Sequence, residues 1–306
     1  MSEIVIHGAS SFIGKHLVKR LLANGIKFRI IAREKSNLPH ELEVIENCVY
    51  RYASSLNEVE ITDLESGSIF IELSWHGVFG SQRNEAEQIT VNIPLTISSI
   101  TTANRLKSKH WIGFGSQAEY GNLNKRISES ENCNPTTLYG KSKLQCSQIA
   151  LELTSSLALE FTWLRLFSVF GPDDNHEWFI QYLIREMLVN TEINVTKAEQ
   201  CWDYLYIDDI IDMLLKLFVH KGLGVTNLGS GSAIQLKNII EYIRNKTNST
   251  SQINYGAVPY RPDQVMYMEA DNTKLKSALN WQPKTSIEEG LNKTIHFYTN
   301  KYKALI

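Results

Sequence analysis

Tyr139 and Lys143 stand four residues apart in the run Leu138-Tyr139-Gly140-Lys141-Ser142-Lys143. On a helix, residues i and i+4 share a face, so a phenol and an ammonium would lie side by side. A free tyrosine ionises near pH 10 and is a poor proton donor or acceptor at neutral pH. A neighbouring cation favours the phenolate and brings it toward the working range. Ser116, upstream in Gly115-Ser116, would complete a trio in which a hydroxyl holds a carbonyl oxygen while Tyr139 exchanges the proton. That set suits hydride transfer at a carbon bearing oxygen. Alone it is common on helices as an exposed Tyr–Lys pair, so its meaning depends on what positions it.

The first forty residues supply a frame. Residues 3–7 read as a short buried strand, followed by Gly8-Ala9-Ser10-Ser11-Phe12-Ile13-Gly14 and by an amphipathic helix with Ile13, Leu17, Leu21 and Leu22 on one stripe. Strand, glycine turn and helix are the context that a dinucleotide fingerprint requires. Gly8 permits the sharp turn, Gly14 permits close helix–strand packing, and the helix start offers N–H groups and a positive dipole to a pyrophosphate. Ser11 replaces the middle glycine. Gly8, Ser10, Ser11, Phe12, Ile13 and Gly14 are therefore the expected cofactor cradle. A second strand, residues 28–32, leads to Arg33-Glu34-Lys35-Ser36. NAD sites usually place an acidic residue at this strand end. Arg33 instead can clasp a 2′-phosphate, with Ser36 adding a hydroxyl. The expected cofactor is NADP(H) in preference to NAD(H), with Glu34 the contrary sign.

The 306 residues are 43% hydrophobic and 21% charged, the balance of a globular protein of one large or two modest domains. A net charge of −2 gives no electrostatic case for nucleic acid or an acidic membrane surface. Cys48, Cys133, Cys146 and Cys201 show no metal-ligand spacing and read as reduced thiols, so no metal is expected. With no leader-like or membrane-spanning run, the expectation is a cytoplasmic protein.

Residues 69–75 form another apolar run, 85–104 read as a helix, and 110–114 as a strand ending at Gly115-Ser116. Strands alternating with helices argue a parallel sheet covered on both faces. At this point the chain resembles the extended short-chain dehydrogenase/reductase family, in its nucleotide-sugar branch, over nearly its whole length. The likeness is carried by the cofactor turn Gly8–Gly14, Ser116-Gln117-Ala118-Glu119-Tyr120-Gly121, and Pro135 through Lys143. It continues through Leu164 to Pro172, Asp203 through Asp209, Asn227-Leu228-Gly229-Ser230-Gly231, Arg261-Pro262-Asp263 and Trp281 through Leu291. The resemblance implies a Rossmann-type doubly wound sheet binding NAD(P) and a smaller, discontinuous domain closing over a nucleoside-diphosphate sugar. The expected bounds are 1–170 plus about 204–250 for the first and about 171–203 plus 251–306 for the second.

By the same likeness Tyr139 is the general acid or base, Lys143 holds the nicotinamide ribose and tunes Tyr139, and Ser116 binds the reacting sugar oxygen. Leu73 falls along the cofactor. Trp75, Gln117, Ser168, Trp178, Trp202 and Arg261 fall along the substrate, and Asn92 takes the place of a helix-breaking asparagine that organises the site. Three positions depart from the pattern. Gln117-Ala118 stand where the family's dehydratases carry Asp-Glu, which argues against 4,6-dehydration. Ser168 replaces an asparagine. Trp202 replaces a diphosphate-binding arginine and leaves that task to Arg261, drawn as part of an extended segment before Pro262. Residues 208–221 read as a helix with Ile211, Leu214, Leu215 and Phe218 inward, and 245–252 as a loop.

The leading expectation is an NADPH-dependent reductase of a 4-keto-6-deoxy or 3,6-dideoxy hexose on a cytidine or thymidine diphosphate. The runs Leu73-Ser74-Trp75-His76-Gly77 and Gly115 through Gly121 are similar to those of abequose- or fucose-forming reductases. Two alternatives stay open: a 4-epimerase retaining NAD, and a non-catalytic NADP sensor, for which intact Tyr139 and Lys143 would serve no purpose. A homodimer paired through the Tyr–Lys helix is expected by analogy with the family.

Overall fold

The computed structural model of the chain describes residues 2–34, 48–61, 63–262 and 264–303; Ser36 and Asp263, both drawn into the expectations above, lie outside them. In chain order the elements are β1 (Ile4–His7), α1 (Phe12–Ala23), β2 (Phe28–Arg33), β3 (Val49–Tyr52), β4 (Ile69–Glu72), α2 (Glu87–Thr90), α3 (Asn92–Arg105), β5 (His110–Ser116), β6 (Lys125–Ile127) and α4 (Leu138–Ser156). Then follow β7 (Glu160–Leu166), β8 (Ser168–Phe170), α5 (Phe179–Leu188), β9 (Ile193–Val195), β10 (Cys201–Tyr206), α6 (Ile207–Leu217), β11 (Gly224–Leu228), β12 (Ala233–Gln235), α7 (Leu236–Thr247), β13 (Ile253–Tyr255), β14 (Tyr267–Ala270), α8 (Thr273–Leu279) and α9 (Ile287–Lys303).

A Rossmann-type parallel sheet of seven strands, ordered β11-β7-β5-β4-β1-β2-β3, carries the site. Its central strands are buried from end to end: Ile-Val-Ile-His in β1, Ile-Phe-Ile-Glu in β4 and His110 through Ser116 in β5. Successive side chains leave opposite faces of a strand. Accordingly Ile4, Ile6, Ile69 and Ile71 join one apolar cluster with α1 and α6, while Val5 and Phe70 join a second with Trp111, Cys146 and Trp163. Both faces are covered, which is why these strands read as continuous apolar runs rather than alternating ones. The chain runs outward from β1 to β3, then returns to build β4, β5, β7 and β11 on the other side. The reversal opens a crevice at the carboxyl ends of β1 and β4, where such sheets take ligands.

A second sheet, β12-β10-β14-β6 with β8 also on β10, draws strands from widely separated stretches. Asp203 in β10 fastens it, its carboxylate accepting the N–H groups of Ser230, Gly231 and Ala270. β9 and β13 form a separate parallel pair.

Some expected elements shift. The helix over 85–104 is broken at Val91 into α2 and α3, because Asn92 turns its amide onto the His76 backbone, accepting from its N–H at 2.8 Å and donating to its carbonyl at 3.0 Å. The helix over 208–221 ends at Leu217. The loop over 245–252 begins only after Thr247, where Asn248 adopts a left-handed conformation (φ 51°) that stops α7. Residues 260–262 form no strand; the extended segment comes later, as β14.

Candidate active site

Ser116 ends β5, and its hydroxyl starts a tight helical turn by accepting the Ala118 N–H at 3.1 Å. Glu119, three residues on, reaches back to the Ser116 N–H at 2.9 Å, closing a reciprocal cap. The same carboxylate accepts from Trp163 Nε1 (2.9 Å) and Arg165 Nε (2.7 Å), so a fully buried ion pair fixes the base under Ser116. The helix α4 begins beside it. Thr137 caps that helix by accepting the Gly140 N–H, and Asn84 Oδ1 accepts the Leu138 N–H at 3.1 Å. Gly140 is required at this crossing: a Cβ there would collide with the Ala118 carbonyl and Pro135. The close approach brings the Tyr139 phenol to Ser116, whose side chain favours the phenolate. Two members of the expected trio thus meet across the crevice.

The third member sits differently from the expectation. Lys143 is buried, donates from Nζ to the Phe114 carbonyl at 2.6 Å, and lies 3.4 Å from the centroid of the Trp75 indole but 5.8 Å from that of Tyr139. Burial depresses its ammonium to about 8. Lys143 is therefore not the cation set closest against the Tyr139 ring. Burial raises the phenol above the ordinary tyrosine range, and the cation that opposes this is Arg83, whose guanidinium carbon lies 4.4 Å from the ring centroid. The i, i+4 spacing put both groups on one helix face, but the lysine stem bends toward the strand-end carbonyl and the indole instead.

On the other side of the crevice the glycine turn has the form expected. Gly8 has φ +91°, and a Cβ on it would strike the backbone at Leu73 and Ser74. A Cβ on Gly14 would strike the Gly8 carbonyl, so this glycine lets α1 pack onto β1. Ser11 is the N-cap of α1, its hydroxyl accepting the Gly14 N–H at 3.1 Å. The first N–H groups of a helix, here those of Phe12 and Ile13, have no acceptor within it and face outward as an anion site. Ser10 is exposed at the rim. Leu73 and Trp75 line a small cavity with Lys143, Asn92 and Phe114. A cradle in which a Cβ on Gly8 or Gly14 clashes, with a helix start beside it, fits the pyrophosphate of a dinucleotide.

The pattern of the NAD dependent epimerase/dehydratase family matches residues 4–229. The chain belongs to that family. It is a member of the extended short-chain dehydrogenases/reductases, as the motifs suggested. Among similar proteins, the CDP-abequose synthase of Salmonella muenchen is 30% identical over 304 residues, covering 96% of this chain and 97% of that one. The CDP-abequose synthase of Salmonella typhimurium is 24% identical over 301 residues, covering 95% and 97%. Among solved structures, MoeE5 in complex with UDP-glucose and NAD superposes with a TM-score of 0.82 at 24% identity, covering 98% and 99% of the two chains. RMD from Pseudomonas aeruginosa complexed with NADPH gives 0.82 at 18% identity, covering 98% and 100%. At these identities the structures establish the shared fold.

In this extended dehydrogenase/reductase the remaining candidate residues come from separate elements. Arg33 is exposed at the end of β2, and Arg51 of β3 donates to its carbonyl at 3.4 Å, so two cations share this rim. Gln117 follows Ser116 in the helical turn, half-buried. Ser168 pairs in register with Tyr204. Trp178 is 37% exposed and rests on Phe79, ring centroids 5.1 Å apart. Trp202 commits its indole N–H to the Val265 carbonyl (2.9 Å) and packs between two apolar clusters. Arg261 is exposed and opens a turn closed by the Gln264 N–H.

Three groups went unmarked in the sequence. Arg83 carries no local signal. The Ser116-x-x-Glu119 capping pattern was readable as a helix start. His7, at the end of β1, binds Glu72 at the end of β4 (2.8 Å) and the Tyr52 hydroxyl (3.1 Å), a buried polar knot beside the glycine turn. The pairing of β1 with β4 brings His7 to Glu72, and Tyr52 arrives from β3 across β2.

Proposed function

We propose that the protein is an NADPH-dependent reductase of the C4 ketone of a nucleoside-diphosphate 4-keto-6-deoxy or 3,6-dideoxy hexose, acting in the cytoplasm in deoxysugar synthesis for surface polysaccharide. The observation that carries this reading is that Ser116 and Tyr139 come together while the carboxylate set against them, Glu119, is held by Arg165. Gln117 and Ala118 offer neither acid nor base, and Glu119 is consumed beneath the site by Arg165 and Trp163. Water removal from the sugar needs such groups; ketone reduction does not. The bound dinucleotide supplies the hydride. Ser116 orients the ketone oxygen, Tyr139 gives it a proton, and these preorganised donors act where charge develops. Lys143, which donates to the carbonyl of Phe114, would hold the nicotinamide ribose, with Leu73 along the same cavity. Gly8, Ser10, Ser11, Phe12, Ile13 and Gly14 would hold the pyrophosphate, and Arg33 the 2′-phosphate.

On this reading Trp75, Gln117, Ser168, Trp178, Trp202 and Arg261 surround the nucleotide sugar. The residues 1–170 plus about 204–250 form the cofactor domain, with 171–203 plus 251–306 closing on it. The 30% identity to a CDP-abequose synthase makes a CDP-linked 4-keto sugar the first substrate to assay, with the dTDP-linked one second. Mixed with NADPH and either sugar, the pure protein should consume NADPH in step with substrate; absence of consumption with both would sink the reductase. Retained NAD with exchange of C4 configuration and no net oxidation would establish the 4-epimerase instead. Tyr139→Phe should cut turnover by about 10²–10⁴-fold while leaving NADPH binding intact.

A further inference from the structure

The segment between β4 and α2 brings a cation onto the reacting phenol. Arg83 sits in the helical turn Gly80–Asn84 and stacks its guanidinium on the Tyr139 ring, 4.4 Å from the centroid. Its neighbour Asn84 accepts the Leu138 N–H, so this turn grips α4 one residue before the tyrosine. Gln88, fully buried in α2, secures the other end of the segment by donating to the carbonyls of His76, Gly77 and Gln82 and accepting from Trp75 Nε1. Arg83 is therefore held in place by the chain on both sides of it. Among the described residues it has no carboxylate partner, so its charge is not neutralised by a salt bridge.

We propose that Arg83 is a positioning residue of the active site, holding the Tyr139 ring against Ser116 and stabilising the anion left when the phenolic proton departs. The groups facing that phenol are Ser116 from the end of β5, Glu119 from the turn after it, Arg83 from the 80–84 turn and Lys143 from α4 itself. Of the two cations Arg83 is the nearer, and Lys143 is engaged by the Phe114 carbonyl. A packing role alone would need only the flat, apolar stem of the side chain. An electrostatic role needs the charge, which a cation over an aromatic face supplies in a fixed direction.

The inference rests on Tyr139 being the proton donor, and its test is independent of turnover. A fluorinated tyrosine, more acidic than tyrosine itself, is installed at position 139 and its ionisation followed by fluorine NMR in the full-length protein. In Arg83→Met the midpoint should rise by about one pH unit, the size expected for one charge at this distance in a partly solvated site. In Arg83→Lys it should rise by less than half as much. Arg83→Gln provides a second neutral variant should the methionine protein fold poorly. A midpoint unchanged in both neutral variants, or moved equally by lysine and methionine, would overturn the proposal and leave Arg83 as packing. Failure of the protein to oxidise NADPH with any keto sugar would remove the reductase reading, while the midpoint would still decide the role of Arg83.

Discussion

A phenol and an ammonium four residues apart say little until something fixes where each points. In this protein Gly140 fixes the phenol, because only a residue without Cβ lets α4 touch the Ala118 carbonyl and deliver Tyr139 to Ser116. The Ser–Tyr–Lys set and the glycine turn were legible because their spacing is local and their residue types are few. Arg83 was not, since its contact with Tyr139 depends on how the segment after β4 folds back onto α4. At this scale Arg33 gives the sharpest test of the cofactor. Its side chain is exposed at the end of β2 with Arg51 beside it and without an acidic residue at the strand end itself. Hydrogen bonds to a charged group contribute about 1.5–3 kcal/mol. Arg33→Ala should therefore weaken NADPH roughly 10- to 100-fold and NADH scarcely at all, by titration of the cofactor's fluorescence; equal weakening of both would count against an NADP site.

The turn after β5 shows how an element holds a reacting group steady. Glu119 closes the cap on Ser116 and is itself neutralised by Arg165, with both side chains out of water. Removing one member of a buried pair leaves the other uncompensated and costs about 3–5 kcal/mol. Glu119→Ala should lose that much in denaturant unfolding and release Ser116, whereas Glu119→Gln, which can still accept from the Ser116 N–H, should lose less. Equal losses would mean the charge is immaterial. The loop between β8 and α5 gives a second element-scale test. Burial pushes the Asp174 carboxyl up to about 7, against about 4 in an unfolded chain. The folded state thus keeps this proton to higher pH, so the group's contribution is full below about pH 4 and is lost as pH rises through about 7. Asp174→Asn should gain on the parent over that interval and level off near 1 kcal/mol above it, after allowance for partial exposure. His16, bound to the neighbouring Pro172 carbonyl and lowered by burial, slopes the other way and cancels in the difference. A difference constant between about pH 5 and pH 8 would refute the assignment. Element ends were less legible than element types: the break at Val91 required the Asn92 amide to find His76, and the stop of α7 required Asn248 to turn left-handed.

At the scale of the whole chain, the parallel sheet was readable because its strands are apolar throughout, as two-sided burial demands. The second sheet was not, since β6, β8 and β12 have three residues each and the strands come from distant stretches of the chain. Among the helices of the described residues none is long and apolar enough to cross a membrane. The helix pair α3 and α4, where the family likeness would put a dimer contact, leaves Ile97 (37%) and Leu151 (48%) exposed, with Ile89 and Val91 exposed just before α3. Scattered apolar residues are normal on a monomer. We propose that a second copy covers these four, which lie on one helical segment and its packing partner; α4, which also carries Tyr139 and Lys143, would gain rigidity from it. The expected solution mass is therefore that of two chains by sedimentation at micromolar concentration. Ile97→Glu with Leu151→Glu would place charges where a dimer must exclude water, and should yield one-chain particles whose α4 exchanges its amide hydrogens faster. A parent protein already of one-chain mass, or a doubly charged variant still paired, would rule this face out as the contact.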